Sequence, residues 1–465
     1  MASIITDTLK RELVNKLFAD VKDSNENYYI GIGKSEAWDS ADAPPTPVNT
    51  TREVRNARMG IQAIKTAETV SFVIPRYNWS SGSIYSAFDD NQTGYPTNSY
   101  YVLTEDNSIY MCLQQSKNAA GVVQTSTVKP TGSSIRPVET SDGYIWKYMY
   151  TIGALQGTQF TSANFIPLQK IVDSAGAPGL SALEAQQALV QQASNAGEIS
   201  SIQLITGGSG YTSVPAVNII GDNTGKAAAA TAFVTSGVVT KIEMNDSGAG
   251  SLTGHAFGKG YQVANIAITG GGGSGATARA VIPSDSGLGA DCRNDLRSFS
   301  LMFNSKIAGT ETGAFPVGND FRQTVLMRNP KKMVSAADSD FIADAGNAMQ
   351  FLKLATVSTA FTIDRTIQGT SSSAQAYVDY IDSSLVYFHQ TETTGFGTFQ
   401  EGEALGELNG NGDGIIEAAG VDADTLAFRQ PTINKFTGDV LYIDNRSPIE
   451  RSPDQTEDIK VVIQL

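Results

Sequence analysis

The chain has 465 residues, 41% hydrophobic and 17% charged, enough apolar material for packed cores and too much for wholesale disorder. Its 45 glycines follow no G-X-Y period, so collagen is excluded and a turn-rich β protein is favoured. With 33 Lys and Arg against 47 Asp and Glu the formal charge is −14, a surface that repels nucleic acid and anionic lipid, because a phosphate backbone needs a basic footprint.

The length suggests about three domains. Two cysteines, Cys112 and Cys292, are too few for a disulfide scaffold or a four-cysteine zinc site, and read as reduced, buried thiols. Two histidines, His255 and His389, leave little for metal or acid–base chemistry. No apolar run reaches the roughly 18 residues of a membrane span, and Lys10, Arg11 and Glu12 fall where a signal peptide needs its apolar stretch, so a soluble cytosolic product is expected.

In chain order, Ile5, Leu9, Leu13, Leu17 and Val21 recur every fourth residue and predict a helix, capped by Thr6 or Asp7 and ended by Asp23-Ser24-Asn25. Its apolar stripe is expected to pack on its own domain. Tyr28 to Gly33 reads as a half-buried strand. Thr51 to Ala67 reads as a second helix carrying Arg52, Arg55, Arg58 and Lys65, a basic spot that is more often a solvated face than a docking patch. Val70 to Ile74, Tyr100 to Thr104, Ile109 to Leu113 and Tyr144 to Thr151 read as strands, the last after an Asp142-Gly143 turn.

From about 166 to 290 aromatics thin out and Gly, Ala, Ser and Thr take over. A helical piece, Ser181 to Ala193, leads into an internal repeat. Gly197 to Ile202 aligns with Gly237 to Ile242, each copy passing a Gly-rich turn (Gly207 to Gly210; Ser247 to Gly250) and a Gly-Tyr pair (Gly210-Tyr211; Gly260-Tyr261). Two copies of about 45 residues are a duplicated module, too few for a free solenoid. Phe299 to Phe303 reads as a strand, 351 to 430 as a small β module, and Val440 to Ile443 and Ile459 to Ile463 as closing strands. The expected fold is therefore mainly β: a multi-domain β-sandwich-like architecture with a short N-terminal helix and a duplicated Gly-rich β insert. Its segments are a core at 1–165, the insert at 166–290 with repeats 197–236 and 237–283, a return to the core at 291–350, the module at 351–430, and closing strands at 431–465.

The motifs that carry chemistry elsewhere fail here. Gly33-Lys34-Ser35 ends like a phosphate-binding loop, but the glycine required five positions earlier is Tyr28. Asn409-Gly410-Asn411-Gly412-Asp413-Gly414 starts like a calcium loop, with Glu417 at position 9, but position 12 is Gly420 in place of a bidentate Glu. Cys112 and Cys292 have no neighbouring histidine, and Glu401, Glu403, Glu407, Asp379 and Asp382 are candidates for a glycosidase pair only if the fold sets two of them across a groove. No catalytic, cofactor-binding or metal-ligating residue is assigned, and no enzyme is expected.

Several long blocks share one resemblance. They are Asn27 to Trp38, Ile74 to Tyr85 with Asp89-Asp90, Tyr110 to Leu113, Lys129 to Gly132, Asp142 to Ile152, Gly438 to Ile449 and Asp454 to Lys460. Together they resemble a baseplate wedge subunit of T-even-type contractile-tailed bacteriophages, the β-rich one that forms a homodimer. The resemblance covers residues 1 to about 165, about 290 to 335 and about 430 to 465; the inserts at about 197–283 and 351–430 depart from the pattern. It implies a structural virion protein of the tail baseplate, assembled in the host cytoplasm. Its partners would be a second copy and other wedge proteins, with no nucleic acid, membrane, cofactor or small-molecule substrate. Trp38, Trp79 and Trp146 would serve as buried anchors or interface aromatics. The competing expectations are a glycan-binding or glycan-cleaving tail spike or fibre, suggested by the Gly-rich repeat and acidic loops, and a β-sandwich binding module with calcium at Asn409 to Glu417.

Overall fold

The computed structural model describes residues 4–92, 99–118, 120–245, 257–333, 339–418, 428–429 and 431–465. The protein is mainly β, with 40% of it in strands against 11% in helices, and many of its sheets are antiparallel. The chain divides into two compact units, neither of them continuous: residues 1–15, 71–301 and 464–465 form one, and 16–70 with 302–463 form the other.

In the second unit, a five-stranded sheet has the order Ala345–Asn347, Ile61–Thr66, Tyr28–Gly33, Asp320–Arg328, Asp439–Glu450. Tyr28–Gly33 lies at its centre and is buried throughout, not half-buried as its alternation suggests, because both its edges are paired and both its faces are covered. A side chain at Gly33 would put its Cβ 2.1 Å from the Gly60 carbonyl oxygen, so only glycine allows this approach. The expected helix over Thr51 to Ala67 is shorter. It spans Thr51–Gly60, with the Thr50 hydroxyl accepting from the Glu53 amide, and the chain then turns extended at Ile61. Ile61–Thr66 is a strand because its apolar residues complete the sheet, and its Lys65 is buried and paired with Glu311 at 2.8 Å.

The module at 351–430 is a closed barrel. Its strands run in the order Leu385–His389, Gln375–Asp382, Thr366–Gly369, Ala404–Glu407, Asp413–Ile416, Gln350–Thr359, and the last pairs back onto the first. Closure removes the exposed edges that invite aggregation. Its interior is filled by Leu352, Leu354, Phe361, Ile367, Val378, Val386, Phe388, Phe399, Leu405 and Ile416.

The first unit holds a four-stranded sheet, in the order Tyr101–Leu103, Ser108–Gln114, Ile145–Thr151, Val138–Glu139. Its core is aromatic: Trp146 is 1% exposed, stacks on Tyr144 at 5.7 Å and meets Tyr85 edge-on at 5.6 Å. The helix Ala182–Gln192 starts at a capping box between Ser181 and Glu184. The N-terminal helix spans Asp7–Lys22 as expected, but its stripe does not pack inward. Val14 is its one buried residue, while Leu9 and Leu13 are each about half exposed.

The duplicated insert is built as two interlocked halves. The first strand of each copy pairs with the last strand of the other: Ser201–Ser209 with Ser274–Val281, and Val238–Met244 with Ala230–Thr235. The middle strands, Ala216–Gly221 and Ala264–Thr269, pair with each other. Equivalent side chains fill one core: Ile199 with Val239, Ile202 with Ile242, Ala232 with Ala280, and Tyr211 with Tyr261. Each tyrosine bridges to the opposite copy at both ends. The Tyr211 amide donates to Gly237 and its hydroxyl accepts from Ala276; the Tyr261 amide donates to Gly197 and its hydroxyl accepts from Ala228. Gly197 and Gly237 both hold positive φ, +65° and +78°, so the Gly that opens each copy is required by the backbone. The Ser247 to Gly250 turn lies outside the described residues.

The chain entering and leaving this insert is held by two buried acids. The Glu198 carboxylate accepts from the Asn195 and Leu288 amides, and the Asp295 carboxylate accepts from the Gly289 amide and the Ser284 hydroxyl. Burial pushes both carboxyls upward, Asp295 to about 7, and their negative neighbours add to the Asp295 shift.

Two outcomes follow. Tyr211→Phe and Tyr261→Phe should each leave one amide of the opposite copy unpaired and lower stability by about 1–2 kcal/mol, with similar losses because the two sites are equivalent; urea unfolding of both variants checks this. A raised Asp295 pKa contributes stability that is complete below the unfolded value of about 4 and is lost as pH rises to about 7. Asp295→Asn, which can accept from Gly289 and donate to Ser284, should therefore raise the melting temperature at pH 8 and lose that advantage at pH 5.

Candidate functional site

The densest cluster of titratable side chains surrounds Asp379 in the second unit. Asp379 is a β-bulge residue: between the Val378–Phe388 and Tyr380–Tyr387 pairs it has no partner on the facing strand. The bulge re-aims its side chain inward, where the carboxylate is fully buried. Its oxygens lie 2.9 Å from Nδ1 of His389 and accept from the Ser35 hydroxyl at 2.5 Å and the Gln62 amide at 3.2 Å. Asn319 donates to the Asp379 carbonyl.

On the far side of the imidazole, Glu36 sits 3.9 Å from Nε2, an ion-pair separation too long for a hydrogen bond, and takes a 3.1 Å contact from Lys34. Burial alone disfavours the imidazolium. Asp379 and Glu36 outweigh it and raise the His389 pKa to about 9. Burial likewise opposes ionisation of Glu36, but His389 and Lys34 hold its pKa down at about 2. The cluster is therefore a charged, buried network at neutral pH.

The loop that supplies Ser35 and Glu36 is shaped by its sequence. Lys34 holds φ +64° and its amide donates to the Gly60 carbonyl at 2.9 Å. Arg322 donates to the Ser35 carbonyl and pairs with Asp42 at 2.8 Å and Asp320 at 3.1 Å. Trp38 donates from Nε1 to the Arg446 carbonyl at 2.9 Å, and Lys34 lies over its ring at 5.5 Å. Gly33-Lys34-Ser35 thus leaves the strand Tyr28–Gly33 with its polar groups engaged by protein partners.

This arrangement does not assemble a nucleophile. The Ser35 hydroxyl faces the carboxylate and not the imidazole, and His389 is 3% exposed. A serine–histidine relay needs the reverse order, with the imidazole between hydroxyl and acid. What the network does is clamp the 33–38 loop and the Gln62 strand onto the barrel through one carboxylate.

The other nominated residues are scattered. Cys112 and Cys292 are buried, and burial pushes both thiols well above the ordinary range, which suppresses nucleophilic thiolate. Glu403 accepts from the Ser371, Ser372 and Gln400 amides and the Ser372 hydroxyl, folding its own loop. Glu407 fills the centre of the Asn409 to Asp413 turn, accepting from Gly412 at 3.1 Å, and Glu417 is buried against Lys353 at 3.0 Å. The two acids nearest the calcium-like loop are therefore committed to protein groups. Asp382 is exposed at the end of its strand and Glu401 on a turn. His255 and Gly420 lie outside the described residues. No group of three or more His, Cys, Asp or Glu among the described residues is arranged to hold a metal ion. The expected basic spot disperses. Arg52 pairs with Glu392, and Arg58 donates to the Lys435, Thr437 and Gly438 carbonyls while Lys435 donates back to Met59 at the helix end.

No protein-family model matches this chain, and no curated protein matches it. Sequence inspection named Asp379 and His389 separately and missed their union with Glu36, Ser35 and Gln62. The pairing depends on a bulge and on strands more than 300 residues apart, which no local motif encodes.

The raised His389 pKa gives stability that is complete below the unfolded value of about 6.5 and is lost as pH rises to about 9. The depressed Glu36 pKa gives stability present above about 4.5 and lost as pH falls to about 2. His389→Gln should therefore cost about 2–4 kcal/mol at pH 6 by denaturant unfolding, with the gap to the parent narrowing above pH 9.

Proposed function

We propose that the protein is a structural subunit of a contractile-tail baseplate wedge. In this role it forms a homodimer and links neighbouring wedge proteins, holding them as the tail contracts, and it turns over no substrate. The observation that carries this reading is where the resembling blocks lie. Asn27 to Trp38 and Gly438 to Ile449, more than 400 residues apart, flank the same strand, Asp320–Arg328, and are joined directly by the Trp38–Arg446 bond. Tyr110 to Leu113 and Asp142 to Ile152 are likewise neighbours in one sheet, joined around Trp146. The two stretches outside the resemblance each close on their own core, one as the barrel and one as the interlocked pair. That is the pattern of a shared scaffold bearing added modules.

Two further features support it. The buried histidine, cysteines and acids described above are engaged in holding the fold, which suits a part that must transmit load and not a catalyst. The net charge of −14 keeps free copies apart until a partner supplies complementary charge. No helix among the described residues is long and apolar enough to cross a membrane.

Light scattering on a sizing column tests the reading. The expected mass is twice 49.2 kDa, since a closed two-fold dimer is the assembly implied. A stable trimer would overturn it in favour of a spike or fibre, and a monomer across the micromolar range would remove the dimer.

A further inference from the structure

The first unit contains a cleft of about 700 Å³ between the duplicated insert and the strand Ser108–Gln114 with its following loop. This is the size range of small-molecule sites, roughly 300–1,000 Å³.

Its lining is polar, and much of that polarity is unused. Asn91, Gln92, Gln114 and Ser116 line the cleft, and their side chains make no hydrogen bond among the described residues. Three of these are carboxamides, which offer two donors and an acceptor with no charge. Of the three charged side chains in the lining, Lys117 makes no ion pair among the described residues and the other two are paired. The Asp89 carboxylate is held by Arg279 at 2.5 Å, and Lys241 is paired with Glu139 at 2.8 Å and with Glu243. One wall carries an exposed aromatic ring, Phe233, 42% accessible, with the Lys241 amine 4.9 Å from its centroid.

The wall is also rigid. Arg279 ties the insert to Asp89 and Asp90 and donates to Gln203 at 3.1 Å, while Gln203 donates to the Phe88 carbonyl at 3.3 Å.

We propose that this cleft binds a neutral oligosaccharide. Sugar hydroxyls both donate and accept, as carboxamides and Ser116 do, so every unused group finds a partner without an ion pair. The C–H face of a pyranose ring is apolar and matches the exposed ring of Phe233. Of the charged side chains in the lining, Asp89 and Lys241 are already paired and Lys117 is a single cation, too few for a polyanion, while an apolar ligand would bury unsatisfied amides at a cost of about 1–3 kcal/mol each. The cleft does not depend on the wedge reading: its lining joins Phe233 and Lys241 of the insert to Gln92 and Gln114 of the neighbouring sheet region, and no wedge contact is invoked.

The test is a titration of the full chain with maltohexaose, cellohexaose and the hexamer of β-1,4-linked N-acetylglucosamine, read by calorimetry and by ligand-observed NMR. The result expected is saturable one-site binding of at least one of them with Kd below about 1 mM. Gln114→Ala and Phe233→Ala should each weaken it at least tenfold, with unchanged melting temperatures; Phe233→Leu keeps the apolar bulk and serves if the alanine variant misfolds. No saturable binding to any of the three overturns the proposal, as does binding that neither variant alters. Binding confined to an acidic sugar such as sialyllactose, or to inorganic phosphate, also overturns it.

Discussion

A carboxylate withdrawn from water must be neutralised where it sits, and Asp379 imposes that condition on the second unit. The bulge that turns it inward would be costly without His389, and a buried imidazolium would be costly without Asp379 and Glu36 on either side. Because Ser35, Gln62 and Asn319 complete its hydrogen bonds, the same carboxylate and its backbone carbonyl fix three separate stretches of chain. An apolar side chain at this position would pack without choosing partners. The charged network admits one arrangement, which ties the barrel to the five-stranded sheet in a defined register.

The insert reaches a defined structure by a different route. A single copy would leave its first and last strands unpaired, with Tyr211 or Tyr261 lacking both hydrogen-bond partners. Two copies satisfy each other, so duplication converts an unstable three-strand piece into a closed unit with one core. Duplication also explains why two copies suffice here, where a solenoid needs at least three: these copies interlock face to face and do not stack in a row.

The two devices bear on function in the same way. Several chemistry-bearing residues elsewhere in the chain are committed to loops and turns that they hold in place. Glu403 and Glu407 act as internal anions for backbone amides, and Arg58 and Lys435 exchange hydrogen bonds between a helix end and a loop. The unused polar groups of the cleft beside the insert stand out against this background.

The sequence by itself determined the elements whose signals are local. Alternation and β-branching placed Tyr28–Gly33, Ile145–Thr151 and the closing strands; Ser181 to Ala193 read as a helical piece; the Gly-Tyr pairs exposed the duplication. Tertiary structure decided what depends on distant partners. The Thr51 helix yields to a strand at Ile61 because the sheet needs that edge, and the Leu9–Leu13 stripe faces outward although its periodicity is that of a packed helix. Barrel closure, the bulge at Asp379 and the chain's division into two discontinuous units rest on pairings between residues tens to hundreds of positions apart. A periodic pattern states which side of an element is apolar; only the packed chain supplies what that side meets.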